Sequence, residues 1–265
     1  MKLGAVGILS YRTYVLGELI EATNNFHESS RMGSGSHGQL YKGQLSDGTM
    51  IAIRNFKMKK KCTIQSCTRQ LELISKLRHP NLVNPVGHCF DRQLDESAVI
   101  RGVFLVFEFV PNGTLREFLT AGQKLSWAQR LAAAIGISKG IQFLSTHITQ
   151  RIFPNNLKIT DVLLDQSFKV KISGYNLLLQ VESKVQVSLV VDEIARRSIV
   201  DPLVCKECCD DSLKTLMELC VRCLSNDRPS IDDVLWNLEF IAQANLSSIE
   251  ESVSNQMPTS IECIT

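Results

Sequence analysis

Residues 33–54 read GSGSHGQLYKGQLSDGTMIAIR. Gly33, Gly35 and Gly38 fall at G-x-G-x-x-G spacing. Leu40-Tyr41 begins a β-reading run, Asp47-Gly48 makes a turn, and Met50-Ile51-Ala52-Ile53 forms a second run that ends in Arg54. An Asp-Gly pair between two apolar-bearing runs predicts a hairpin, because the turn needs positive φ and glycine supplies it without steric cost. In a dinucleotide fold the third glycine would open a helix; here it opens a hairpin. That order suits a loop lying over nucleotide phosphates, with a basic residue delivered from the next strand.

Outward from this stretch, composition sets the frame. A chain of 265 residues with 44% hydrophobic and 21% charged residues can bury a sizeable core and is not disordered as a whole. A net charge of +2 gives no electrostatic footprint for nucleic acid, and none is expected as a partner. The basic run Lys57, Lys59, Lys60, Lys61 reads as a solvated loop after a strand. No apolar stretch reaches the roughly 18–20 residues of a membrane helix, so no span is expected and the chain reads as soluble. The first residues are too short and glycine-broken for a secretory signal.

Nine cysteines, an odd count, read as reduced thiols. Cys205/Cys208 and Cys220/Cys223 form two C-x-x-C pairs that could offer four thiolates to zinc. Cys220 and Cys223, however, sit in an apolar periodic segment with Leu213, Leu216, Leu219 and Leu224 and read as small buried hydrophobes. No metal site is expected. His37, His79 and His147 read as surface or structural residues.

In chain order, Leu16, Leu19, Ile20 and Ala22 predict a helix closing at Asn24-Asn25-Phe26, and Leu71, Ile74 and Leu77 one over 63–78 that His79-Pro80 stops. Two strands follow, Leu82–Cys89 and Val103–Phe109. Thr114 with Glu117 and Ser126 with Gln129 are capping boxes for a short helix and for a longer buried one. Val162–Leu164 and Val170–Ile172 predict a strand–turn–strand, and Val185–Val191 a strand or loose apolar run. Helical period returns at 212–224 and at 230–241 behind Ser230, and 244–265 reads as a disordered tail.

Together these segments resemble the protein kinase fold, specifically the cytoplasmic domain of plant leucine-rich-repeat receptor-like kinases. EATNNF (21–26) is similar to the segment that introduces that domain, and GSGSHGQLYKG (33–43) to its glycine-rich loop. LISKLRHPNLVNPVGHC (73–89) matches the helix C to strand 4 region, LVFEFVPNGTL (105–115) the hinge, and DRPSIDDVLWNL (227–238) the last helix. The resemblance implies an α+β, bilobal fold: a juxtamembrane-like leader over 1–30, an antiparallel β N-lobe with helix C over 31–110, and a mainly helical C-lobe over 111–243.

It also implies a set of site residues, and the chain departs from most of them. V-A-I-K appears as Ile51-Ala52-Ile53-Arg54; arginine keeps the charge but is forked and planar, no equivalent at a packed phosphate site. The helix C glutamate aligns with Gln70, which forms no ion pair. In the catalytic loop Asn156 stands for the aspartate base, and Asp161 for the metal-binding asparagine. An amide accepts no proton near neutral pH. Gly174-Tyr175-Asn176 replaces D-F-G, so the main magnesium carboxylate is gone. The A-P-E motif and the helix after it are missing, which an internal deletion after 176 explains and which leaves Arg228 without its family partner.

The resemblance therefore implies a pseudokinase: an inactive signalling module whose partners are other receptor-like kinases or signalling proteins. It would sit in the cytoplasm, on the cytoplasmic side of the plasma membrane if part of a full-length receptor. Gly33, Gly35, Gly38, Arg54 and Lys158 form its candidate nucleotide pocket, for weak ATP binding without magnesium. Two alternatives remain: a residual Ser/Thr kinase with Asp161 carrying the cation, and a truncated product whose C-lobe never folds.

Overall fold

The computed structural model describes residues 10–35, 38–92, 99–122, 124–147, 157–173 and 207–254. Asn156, Gly174, His37, Cys205 and the Val185–Val191 run lie outside the described residues. Those up to Glu117 and from Phe143 to Ser173 form one compact unit; Phe118–Gln142 and the residues from Glu207 form a second.

The first unit is built on a six-stranded sheet in the order β1-β5-β6-β4-β3-β2. Its strands are β1 (Arg12–Thr13), β2 (Arg31–Gly35), β3 (Gly38–Gln44), β4 (Met50–Thr63), β5 (Pro85–Arg92) and β6 (Val99–Glu108). All neighbours are antiparallel except β1, which pairs in parallel with β5. The predicted hairpin is β3–β4. Gly48 takes φ +84, and Asp47 Oδ1 accepts from the Thr49 N–H at 2.8 Å. That bond holds the Asp47 carboxyl below its usual range.

Strand alternation sends Ile51 and Ile53 to one face and Arg54 to the other. On the first face Ile51, Ile53, Tyr41, Phe104, Val106, Val86 and Cys89 form a core with Tyr14 and Leu19 from the N-terminal segment. Leu19 comes from helix α1 (Leu16–Ala22), whose Leu16 and Ala22 also pack there. From Tyr14 to Phe26 the stretch read as a leader is thus a layer of the folded unit, because its i, i+3, i+6 apolar stripe covers a sheet face otherwise open to water.

Asn24, Asn25 and Phe26 follow α1 with φ of 50°, 59° and 50°. Buried Thr23 organises this left-handed turn: its Oγ1 donates to the Leu19 carbonyl at 2.6 Å and accepts the Phe26 N–H at 3.0 Å. Asparagine tolerates positive φ, whereas phenylalanine adopts it only when packing compensates. Here the Phe26 ring stacks on Phe104 at 5.1 Å and meets Tyr41 edge-on at 5.2 Å.

The basic run is a second correction. β4 continues through Lys57–Lys61 to Thr63 and, after an irregularity, pairs Cys62 with Ile100 and Thr63 with Val99. Pairing with β6 at Lys57 and again at Cys62 carries the strand across the charged stretch between them.

Helix α2 (Ile64–Ser75) buries Cys67, Leu71 and Ile74, with buried Leu77 just beyond its end. His79 is structural, as expected: its Nδ1 accepts the Asn81 N–H at 3.1 Å and its ring stacks on Phe143 at 4.9 Å. The predicted strand–turn–strand is β7 (Val162–Leu164) with β8 (Val170–Ile172). β8 is fixed to the loop after α2: Val83 N–H donates to the Ile172 carbonyl and Ile172 N–H to the Asn81 carbonyl, both at 2.9 Å.

Both predicted capping boxes form. In the first, Thr114 N–H donates to Glu117 (2.8 Å) and Glu117 N–H to Thr114 Oγ1 (3.1 Å), at the head of α3 (Leu115–Thr120). The second, Ser126 with Gln129, starts α4 (Trp127–His147). The second unit joins α4 to α5 (Asp210–Leu224) and α6 (Ile231–Ser254). Trp127, Leu131, Leu213, Leu219, Leu238 and Ile241 form its core. Glu207 fastens the start of α4, accepting the Trp127 N–H at 2.6 Å, and Ser230 caps α6 through Asp233.

Two expectations change in this unit. α6 runs to Ser254, into the stretch read as a tail, and Cys220 is exposed although Cys223 packs against the core as expected. Among the described residues, no group of acids, cysteines and histidines could hold a metal ion, and no helix is long and apolar enough to cross a membrane.

Candidate functional site

The candidate pocket residues are distributed over three parts of the first unit, and strand register brings the first of them together. Gly33 pairs with Leu40, Leu40 with Arg54, and Arg54 with Leu105. One cross-strand row therefore carries the first glycine, the basic residue and the middle of β6. Arg54 is half-buried on the sheet face away from α1, and it is engaged in interactions there.

The glycines differ in what holds them. Gly38 has φ +95, and a Cβ added to it would stand 1.9 Å from the Asn55 carbonyl oxygen. Its identity is required by the hairpin itself. Gly33 has no positive φ, and an added Cβ would meet nothing within 4 Å. Nothing in its own surroundings demands a glycine, which leaves its bare backbone open to close approach from outside. Gly35 ends β2, opposite Gly38.

Lys158 and Asp161 lie on a second element, the short 3₁₀ turn Ile159–Asp161 that leads into β7. Lys158 is exposed. Asp161 Oδ2 accepts the Lys158 N–H at 2.9 Å, the Asp161 N–H returns to the Lys158 carbonyl at 2.8 Å, and Ser173 donates both N–H and hydroxyl to the Asp161 carbonyl. The carboxylate considered as a cation carrier thus closes its own turn. Asp and Asn both make such local backbone bonds, so this use survives the exchange of one for the other. Gln70 lies in α2 with its side chain outside the described residues, as is all of Asn156 and Gly174.

Sequence reading misses one cluster. Glu108, at the end of β6, gathers three donors on Oε1: Asn84 N–H at 2.8 Å, Asn84 Nδ2 at 3.0 Å and Lys171 Nζ at 2.7 Å. Lys171 and Glu108 are largely buried, with 13% and 28% of their side chains exposed. The pair ties β8, three residues before Gly174, to the hinge segment. The sequence offered no signal for it, since alternation in V-K-I puts Lys171 on the face opposite the buried Val170 and Ile172.

Chemically, this half of the site offers a bare backbone at Gly33 and cations at Arg54 and Lys158. Those groups suit phosphate recognition.

Comparisons with known proteins agree with this architecture. The sequence model of the protein tyrosine and serine/threonine kinase family matches residues 26–197. A probable inactive leucine-rich repeat receptor-like protein kinase of Arabidopsis thaliana is 44% identical over 312 residues, 95% of this chain and 39% of that protein. A probable LRR receptor-like serine/threonine-protein kinase of the same plant is 35% identical over 293 residues, 92% and 40% respectively. The chain therefore spans about two fifths of the length of these relatives. The first alignment is also longer than the 265-residue chain it nearly covers, so that relative carries internal residues with no counterpart here, as the deletion reading expects.

Among solved structures, an apo pseudokinase matches with a TM-score of 0.66 at 24% identity, over 92% of this chain and 98% of that one. The pseudokinase DRIK1 (drought responsive inactive kinase 1), bound to ENMD-2076, matches with 0.65 at 24% identity, over 89% and 98%. These two share the fold, a β-sheet N-lobe and a helical C-lobe. The chain belongs to the protein tyrosine and serine/threonine kinase family and resembles its plant receptor-like, pseudokinase members.

Proposed function

We propose that this chain is a catalytically inactive kinase domain of a receptor-like protein, working as a signalling interaction module that binds ATP weakly and without magnesium. The observation that carries the reading is the use of Asp161 as a turn-closing acceptor for Lys158 N–H. It stands in a sequence that already offers Asn156 for the base and Gly174 for the metal carboxylate. Base and metal ligand each contribute orders of magnitude to phosphoryl transfer, and positioning alone does not replace them. ATP, when bound, would bring its phosphates to the open backbone at Gly33, with Arg54 and Lys158 as counter-charges.

The alternative is a truncated product whose C-lobe never folds; limited proteolysis that protects the chain only up to about residue 150 would favour it over a working module.

Two measurements test the proposal on the intact chain. Millimolar ATP should raise the melting temperature by a few degrees, equally with and without magnesium, as binding about tenfold above Kd stabilises by about 1.4 kcal/mol. Radiolabelled phosphotransfer with magnesium or manganese should stay at background. Turnover that Lys158→Ala abolishes would overturn the inactive reading. No melting shift would remove ATP from it.

A further inference from the structure

The N-terminal segment is held on the first unit by contacts that belong to no phosphate site. At its start, the Tyr11 hydroxyl lies 3.0 Å from His88 Nδ1 and the two rings stack at 5.7 Å. Arg12 and Thr13 then pair in parallel with Gly87 and His88, and Tyr14 N–H donates to the His88 carbonyl at 2.8 Å. Arg12 lies 3.7 Å over the Tyr14 ring and forms an ion pair with Glu18 at 2.9 Å. Further along, Leu19 is fully buried.

The receiving strand is fitted to this segment. A Cβ added to Gly87 would stand 2.1 Å from the Arg12 carbonyl oxygen and 2.5 Å from the Tyr14 ring. Gly87 has no positive φ, so its own backbone does not require glycine. Its bare Cα serves the docked segment.

The far end of the segment is joined to the glycine-bearing hairpin. Phe26 packs on Tyr41 of β3, Ser30 Oγ donates to the Thr23 carbonyl at 2.9 Å, and β2 starts at Arg31. An added Cβ on Gly43 of β3 would meet the Ala22 carbonyl at 3.3 Å. The family match begins at Phe26, so the docked part precedes the matched domain while completing the core of its sheet.

We propose that residues 10–26 are a releasable strap whose docking sets the order of the β2–β3 hairpin. It peels from Tyr11 inward. The edge at Gly87–His88 opens first, Tyr14 and Leu19 leave the core next, and the turn at Asn24–Phe26 then frees Tyr41 and β2. A load on, or a partner for, the residues at the start of the strap thereby reaches the glycine-bearing strands without touching them. The inference goes beyond the proposed function and needs no nucleotide.

Hydrogen–deuterium exchange on the full chain with Gly87→Ala tests it. Amides 12–26 should exchange about tenfold faster or more, amides 31–33 and 39–43 should accelerate with them, and α5 and α6 should keep their wild-type rates. Acceleration of 12–26 with an unchanged hairpin would overturn the proposal, because the strap would then be a passive cover. If Gly87→Ala exchanges everywhere as an unfolded chain, Arg12→Ala decides. It removes the ion pair to Glu18 and the cation over the Tyr14 ring while leaving the core side chains in place, and the same graded pattern supports the device while an unmoved hairpin overturns it.

Discussion

Gly38→Ala is expected to lose about 3 kcal/mol of stability, the sum of a strained backbone and a contact that no side chain can relieve. The new methyl would stand 1.9 Å from a backbone oxygen, that of Asn55, at a residue with φ +95. Asn55 is locked on both sides, opposite Gln39 on β3 and Phe104 on β6, so it has nowhere to retreat. Gly33→Ala, one of the same three-glycine set, should change stability by no more than about 0.5 kcal/mol, since it meets open space. Urea midpoints of the two variants against the parent measure the contrast. Equal midpoints would show that the hairpin does not depend on its third glycine. If ATP shifts the melting temperature of the parent, Gly33→Ala should reduce that shift while leaving the midpoint alone.

The second large effect concerns Glu108. Removing its carboxylate in Glu108→Ala leaves Lys171, among the described residues, with only a long bond to the Leu82 carbonyl, 3.5 Å. A mostly buried ammonium without its partner costs several kcal/mol; with some exposure remaining, about 3 kcal/mol is expected. Lys171→Met should cost less, about 1 kcal/mol, because Glu108 keeps both Asn84 donors. The double variant Glu108→Ala/Lys171→Met should recover part of the loss, since no buried charge is left behind although Asn84 loses the acceptor for both of its donors. Denaturant midpoints of the singles and the double form a cycle. Additive losses would mean that the two side chains are not coupled.

Local pattern carried most of the elements. Turn chemistry at Asp47-Gly48, the capping boxes at Thr114 and Ser126, and the Ser230 cap all use side-chain bonds within four residues, which a sequence displays directly. What escaped depends on distant partners. Two residues of strand at Arg12–Thr13 have no period to detect; they become a strand because β5 offers an edge and Gly87 offers space. The lysine run reads as loop, yet it is the irregular middle of a strand that β6 pairs on either side, at Lys57 and again at Cys62.

The site divides in the same way. Gly33, Gly38, Arg54 and Asp161 were legible as positions, but their roles were not. Only register shows that Gly33 and Arg54 share a row, whereas the bond from Lys158 N–H to Asp161 spans three residues and is local. Glu108 with Lys171 spans 63 positions of chain and follows no spacing rule.

Gly87 also has a consequence across relatives. An added side chain at 87 and the Tyr14 ring would compete for one volume, so the two positions should vary together. A relative that carries alanine or valine at this strand position should also have lost the aromatic ring at the position of Tyr14. A paired substitution of that kind can be counted in any set of aligned sequences.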